Sequence, residues 1–459
     1  VADVIAPFPV SFEAGKSYAV FASGLVGGSP GFTLIANEAR ETGANPGNVD
    51  VAVFHGSPDA PAVDVDAVFL ADNVIEDLAY GESTGYLGLP AGVYDLAIRA
   101  ANDPNVVATF RANLSTLGGG AAYVFASGLL AGTPGFGLFA ALPNGTVIAL
   151  PLTPTARVQI IHNAPSPTVD VYAGNTRLLD DFAFRTATPF VTVPADRTFT
   201  VGVALANSGS VADVIAPFPV NFDAGETYTV MAAGIVGGNP GFDLFVNADA
   251  QESAEVPTNV DINLFHGAPN APEVDVKLLA GPVIFDDIQF GEFSNYLGVP
   301  ANEYVVAVTP SNDNDNIVAS YVANLTALAG GAATVFASGY LGGQTPEFGV
   351  WVALPNGTTF ALPVFVRTNE LEGKLEGLRL FPNPVSDELV VDFRLNETEA
   401  LRYAIRDLTG RMVTEGDFGS VLAGAFNARL DVRSLSNGMY QLEILSDSGI
   451  KASKFVVQQ

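Results

Sequence analysis

The chain contains three histidines, and all three stand in the same short motif. His55 opens His-Gly-Ser-Pro-Asp-Ala-Pro at 55–61 and leads into Val63-Asp64-Val65. His162 leads through Asn163-Ala164-Pro165-Ser166-Pro167 to Val169-Asp170-Val171, and His266 through Gly267-Ala268-Pro269-Asn270-Ala271-Pro272 to Val274-Asp275-Val276. A histidine, a serine and carboxylates this close could assemble a hydrolytic triad from His55, Ser57 and Asp59 or Asp64. Internal repetition argues against that chemistry, because Ser57 and Asp59 become Ala164 and Ser166 in the second copy and Ala268 and Asn270 in the third. What recurs is the histidine and the Val-Asp-Val aspartate. This predicts structural residues: a buried His55, His162 or His266 whose ring is held by a carboxylate, with Asp64, Asp170 and Asp275 as the candidates, or by the turn backbone. Metal binding by the histidines ranks second and catalysis last.

Oxygen-rich loops offer a second chemistry. The run Ser311-Asn312-Asp313-Asn314-Asp315-Asn316 and its counterpart Ala101-Asn102-Asp103-Pro104-Asn105 make Asp313, Asp315 and Asp103 candidate Ca²⁺ ligands, although neither run fits a twelve-residue EF-hand loop. A solvated hairpin tip is the favoured reading of both. No other cofactor is indicated, and with no cysteine in the chain there is no thiolate nucleophile, thiolate metal site or disulfide framework.

The elements that must position these residues are repeated modules. The histidines lie 107 and then 104 residues apart, the size of a small β-domain. A second conserved stretch, from Tyr18 to Leu34, returns at Tyr123 to Leu138, Tyr228 to Leu244 and Ala333 to Val350, so four tails accompany three heads. Residues 1–47 are therefore read as the second half of a module, supported by Val1–Val10 recurring identically at Val211–Val220. Whole modules follow at 48–154, 155–257 and 258–366, then a charged linker at 367–376 and a compositionally distinct segment at 377–459. The first and third whole modules resemble each other, and the opening half resembles the second. Short runs with period-two alternation, as at Tyr94, Leu96 and Ile98, with Pro, Gly and Asn-Gly turns between them, predict strands throughout. The expected fold is all-β: tandem Ig-like antiparallel β-sandwiches with a smaller C-terminal β-sandwich. The half-module would expose an apolar face of Ile5, Phe8, Val20 and Phe32, to be covered by preceding residues of a longer chain or by strands of another subunit.

At 459 residues and 48% hydrophobic content the chain can bury several cores. Its formal net charge is −29, of which residues 377–459 carry −2 and the repeats −27. Such a surface repels phosphate backbones, which excludes nucleic acid as a natural partner, and keeps a long extracellular protein soluble. No run of 18 or more apolar residues is present, so no membrane-spanning helix is expected.

Two resemblances add to this. Phe381-Pro382-Asn383-Pro384, Asp407 followed by Gly410-Arg411, Gly438 with Tyr440, and Lys454-Phe455-Val456-Val457 resemble the type A C-terminal sorting domain of the type IX secretion system. That resemblance implies a Bacteroidota-type Gram-negative envelope and handling by the secretion machinery and its sortase. It further implies cleavage of the sorting domain and a secreted, cell-surface product, with Pro382, Asn383, Pro384, Asp407, Gly410, Arg411, Gly438, Tyr440 and Lys454 as the sorting signal. The histidine heads, with the later Leu-x-x-Pro-Ala-Gly-x-Tyr strand, are similar to a bacterial extracellular repeat domain of unknown function. The resulting expectation is a non-enzymatic stalk, adhesin or filament component whose partners include other copies of itself or neighbouring surface proteins. The alternatives are an array of glycan- or ligand-binding modules, with Tyr86 and Tyr296 as platforms, and the C-terminal part of a larger secreted enzyme.

Overall fold

The computed structural model describes residues 7–279, 281–365, 371–407, 412–446 and 449–459. Among them, helix is confined to a 3₁₀ turn at Val211–Asp213 and one turn at Leu371–Lys374; the rest of the regular structure is strand. The chain divides into two compact units. The first holds the half-module and the repeats, and the second holds Pro363–Gln459 together with Val305–Ala307 and Val318–Val322.

In the first whole module the head strand Asn48–His55 pairs antiparallel with Leu87–Pro90 on one side and parallel with the tail strand Ala121–Ser127 on the other. Gly137–Ala141 and Val147–Ala149 extend that sheet to five strands. A second sheet, ordered Ala71–Leu78, Val63–Ala67, Val93–Ala100, Val106–Asn113, closes over it. Val49, Val51 and Val124 from the first sheet meet Tyr94, Ile98 and Phe110 from the second to form the core. The second module repeats both sheets, and the third repeats the five-stranded one and, opposite it, the pairing of Val274–Leu278 with Val283–Ile288. The head and tail strands are parallel in all three modules, a departure from the wholly antiparallel sandwich the sequence suggests. A parallel pair needs a long crossover, and the entire second sheet supplies it.

The head strand is buried on both faces. Val49 and Val51 face their own core, while Ala52 and Phe54 face outward and are covered by the half-module, whose strands Ser17–Ser23 and Thr33–Ala39 form a two-stranded sheet. The Phe21 ring stacks on Phe54 with centroids 4.1 Å apart. Met231 and Ala233 of the second module cover Phe265 and Phe336 of the third in the same way. Modules thus pack in pairs through their head-and-tail sheets, which accounts for the two alternating sequence types.

The opposite face of the half-module is bare: Val10, Phe12 and Val20 are 40%, 55% and 46% exposed. Phe222 and Val230, which take the places of Phe12 and Val20 in the second module, are 4% and 5% exposed. Equivalent substitutions should therefore differ. Val230→Ala is expected to cost roughly 1–3 kcal/mol, and Val20→Ala to stay within about 0.5 kcal/mol, as read by denaturant melts of the two variants.

The C-terminal unit pairs a three-stranded sheet (Leu375–Phe381, Glu388–Leu395, Gly424–Asp431) with a four-stranded one (Met412–Val421, Glu399–Asp407, Gly438–Ser446, Gly449–Val457). Leu371 and Leu375 are buried in its core beside Leu389, Leu401 and Phe455. The stretch 371–376 is therefore structural, not linker as its charge suggested; of that expected linker, 367–370 lie outside the described residues.

Candidate functional site: the histidine heads

Each histidine ends a head strand and is 1% exposed or less. The strand delivers the ring under the proline-rich turn, where Nε2 donates to a turn carbonyl: His55 to Pro61 at 2.9 Å, His162 to Pro167 at 3.0 Å and His266 to Pro272 at 2.9 Å. Nδ1 of His55 and His162 accepts the backbone N–H of Ser57 and Ala164 at 3.4 and 3.3 Å. This fixes a neutral ring carrying its proton on Nε2. Burial pushes all three imidazoles below their ordinary range, the hydrogen bonds to the carbonyls opposing it in part.

The rest of the motif ties the turn to the tail loop. Ser57 Oγ donates to the Gly128 carbonyl at 2.7 Å, and the Asp59 carboxylate accepts from Leu130 and Ala131 N–H at 2.9 and 3.1 Å. Those bonds, led by the one from Leu130, hold the Asp59 carboxyl below its ordinary value. Asn270 performs the same task in the third module, accepting from Leu341 N–H and donating to its carbonyl. The shortest bonds of the groups a triad would need go elsewhere, the serine's to a tail carbonyl, the acid's to tail amides and the imidazole's to the proline turn, while Ser57 Oγ lies 3.5 Å from Asp59 Oδ1.

Of the two expected supports for the ring, the turn backbone is the one found, and the carboxylate is not. Asp64, Asp170 and Asp275 sit in the opposite sheet, where Oδ1 accepts the N–H of Asp77, Asp181 and Asp287 at 2.8, 2.8 and 2.7 Å. Those three partners have φ of +50°, +50° and +53°, so the buried carboxylate holds a left-handed bend in the neighbouring strand. Asp64 is further paired with Arg99.

The loop aspartates are not gathered into a site. Asp103 Oδ1 accepts from the backbone and side chain of Asn105, and Asp313 Oδ1 from Asp315 N–H, each within an exposed turn. Tyr86 and Tyr296 are joints and not platforms: the Tyr86 hydroxyl accepts from Arg40 N–H at 2.9 Å, with the Arg40 guanidinium 4.9 Å over its ring, and the Tyr296 hydroxyl accepts from Gln251 N–H at 3.1 Å.

In the C-terminal unit the opening and closing motifs meet. Asn383, between Pro382 and Pro384, accepts from Val456 N–H at 2.8 Å, next to Lys454 and Phe455 on the final strand. Tyr440 lies opposite Asp407 and Phe455 and donates its hydroxyl to the Ser436 carbonyl at 2.9 Å, and Gly438 starts the strand. Gly410 and Arg411 lie outside the described residues.

Sequence reasoning missed one charged centre. Asp95, with 0% side-chain exposure, accepts from Arg111 Nε at 2.8 Å and Thr153 Oγ1 at 3.0 Å and, across the junction with the second module, forms an ion pair with Arg197 Nη1 at 2.9 Å. The signal was an aspartate and an arginine at facing positions of adjacent strands, Asp95 opposite Arg111.

Comparison with known proteins gives two family matches. The family described as Domain of unknown function (DUF4397) matches residues 2–66, 51–145 and 156–277, together more than half of the chain. The Secretion system C-terminal sorting domain matches residues 379–458. A search of curated proteins returns no match. Solved structures with some likeness include the Bacillus anthracis TIE protein (9% identity, 97% of this chain and 73% of that one, TM-score 0.13). Dimeric latent PorU from Porphyromonas gingivalis (10% identity, 70% and 31%, TM-score 0.16) also appears. So does PorZ, a surface component of the type IX secretion system of the same organism (10% identity, 82% and 69%, TM-score 0.15). At those scores the likenesses carry no argument. The sorting domain marks a protein secreted by the type IX system to the surface of a Bacteroidota-type Gram-negative cell. The chain belongs to the DUF4397 family, its repeats in tandem and followed by a type IX C-terminal sorting domain.

Proposed function

We propose that the repeats form a non-enzymatic surface element, a stalk, adhesin or filament component, carried out of the cell by the sorting domain, which the sortase then removes. The observation that supports this most is the histidine head itself: in three copies the imidazole is spent on its own proline turn, and the second copy lacks both Ser57 and Asp59 equivalents. Pairing of modules through sheet faces favours a stiff spacer over independent binding units. Preceding residues of a longer chain, other copies or neighbouring surface proteins are the proposed cover of the bare face at Val10, Phe12 and Val20. The competing readings are a glycan- or ligand-binding array and a C-terminal portion of a larger secreted enzyme.

A glycan array probed with the intact chain separates the first two. No specific, saturable binding is expected, whereas saturable binding of one glycan class that survives in a single isolated module would replace the spacer reading with a binding one.

A further inference from the structure

The Val-Asp-Val aspartate occupies one place in three modules, with one carboxylate oxygen committed to the bend described above. The modules differ in what meets the other oxygen. In the first, Asp64 Oδ2 accepts from Arg99 Nη1 at 3.0 Å and from Asn102 N–H at 3.4 Å. In the second, Asp170 Oδ2 accepts from Ser208 N–H at 2.8 Å and Ser208 Oγ at 2.5 Å, with Arg177 3.6 Å away. In the third, Thr309 stands where Arg99 stood and turns its hydroxyl to Asn314 at 2.8 Å. Asp275 is 0% exposed, and its Oδ2 has no hydrogen-bond partner.

The acids beside it recur, as Glu76 and Asp77 in the first module and Asp180 and Asp181 in the second, but in the third no donor answers the second oxygen. Asp286 and Asp287 each place a carboxylate oxygen so that these and one from Asp275 lie within 4.8 Å of one another. A buried carboxylate that leaves one oxygen without a donor, beside two further carboxylates, is unstable without a positive charge. We propose that Asp275, Asp286 and Asp287 hold a divalent cation, Ca²⁺, in the third module. The donors are all hard oxygens, which disfavours zinc and copper. Asp286 and Asp287 are exposed, leaving one side open to water, and an irregular mixture of carboxylates and waters suits Ca²⁺ better than Mg²⁺, which demands near-octahedral geometry.

Two neighbours set the controls. Lys277, two residues along the strand from Asp275, is the competing positive charge; its Nζ donates to the Asn314 carbonyl at 3.2 Å, and among the described residues it forms no ion pair. The second module also gathers Asp170, Asp180 and Asp181, but there Arg177 pairs with Asp180 at 3.0 Å and Asp170 is satisfied by Ser208, so that cluster already has its cation.

Equilibrium dialysis of the intact chain against CaCl₂ at neutral pH, after EDTA removal, tests this. One Ca²⁺ per chain is expected, with Kd on the order of 0.1–1 mM, as for extracellular sites of few charges, and weaker uptake of Mg²⁺. Asp286→Asn should weaken uptake at least about tenfold, and Asp180→Asn, which changes charge equally, should leave it unaltered. Asp275→Asn changes a buried group and can fail to fold, so the exposed Asp286 and Asp287 carry the test. Lys277→Met should tighten binding. Absence of saturable uptake in the unmodified chain, uptake indifferent to Asp286→Asn, or uptake lost in Asp180→Asn would overturn the assignment.

Discussion

Replacing Asp95 with alanine is expected to cost the first module about 3–5 kcal/mol and to loosen its junction with the second. The carboxylate has 0% side-chain exposure and stands between two guanidiniums whose side chains are 12% and 13% exposed, Arg111 from its own module and Arg197 from the next. Arg111 also donates to the Ala195 carbonyl at 2.7 Å, so both arginines reach across the same joint. Burial pulls the Arg197 guanidinium below its ordinary range, and the Asp95 charge is what opposes that. Without Asp95 two buried positive charges repel each other with no anion between them, which is costlier than losing a surface pair. Hydrogen exchange of the intact chain should show faster exchange at Val93–Ala100 and Val191–Pro194 with the sorting domain unchanged. Removing Arg197 as well should lose less than the sum of the two single changes, since the partners are coupled. An Asp95→Ala protein that melts and exchanges like the parent would show that the network contributes nothing.

The alternation and turn chemistry of the repeats made the strands legible, and the return of the motif made the modules legible. What could not be read was which strand the head would lie beside. A run such as Asn48–His55 reads as a strand buried on both faces, but a parallel partner far along the chain leaves no local trace. The end of the expected linker was hidden for a different reason. Glu372, Lys374 and Glu376 dominate its composition, while the two leucines that matter, Leu371 and Leu375, are a small part of it.

At the heads, repetition alone separated the structural residues from the incidental ones, because a position that becomes alanine in a sister module cannot be the nucleophile of a shared chemistry. Of the two supports left open for the ring, the carboxylate was suggested by the joint recurrence of His55 and Asp64, and that is the one the structure does not use. The proline turn carries the chain from one sheet to the other, so nearness along the chain becomes separation across the sandwich, and the turn's own carbonyl reaches the ring first. Asp95 is the polar position between Tyr94 and Leu96 on an alternating strand; the neighbouring module covers it, and contacts between modules are invisible to a reading made one module at a time. Asp286 was hidden within its own module, since its importance emerges only beside the unanswered oxygen of Asp275 on the paired strand.

Acidification supplies the other large effect. All three imidazoles titrate below their ordinary value of about 6.5 because burial disfavours the charged ring. Above pH 6.5 folded and unfolded forms are both neutral at these positions, and the full contribution of the heads is present. As pH falls below 6.5 the unfolded chain takes up protons that the folded chain refuses, so stability declines until the folded-state values are reached. Linkage limits the slope to about 1.4 kcal/mol per pH unit for each histidine, and each whole module carries one. Protonation also converts Nδ1 from acceptor to donor, setting it against the Ser57 or Ala164 N–H it now accepts. Asp286, raised by its neighbours, acts in the opposite sense, since its protonation relieves repulsion in the folded state. Thermal melts from pH 7.5 to 5.0 should therefore show the repeats losing stability below about pH 6.5. The triple variant His55→Gln, His162→Gln, His266→Gln should start less stable and melt at nearly constant temperature across the same range. A flat profile in the unmodified chain, or an equal slope in the triple variant, would mean that the buried rings are not the groups that sense the proton.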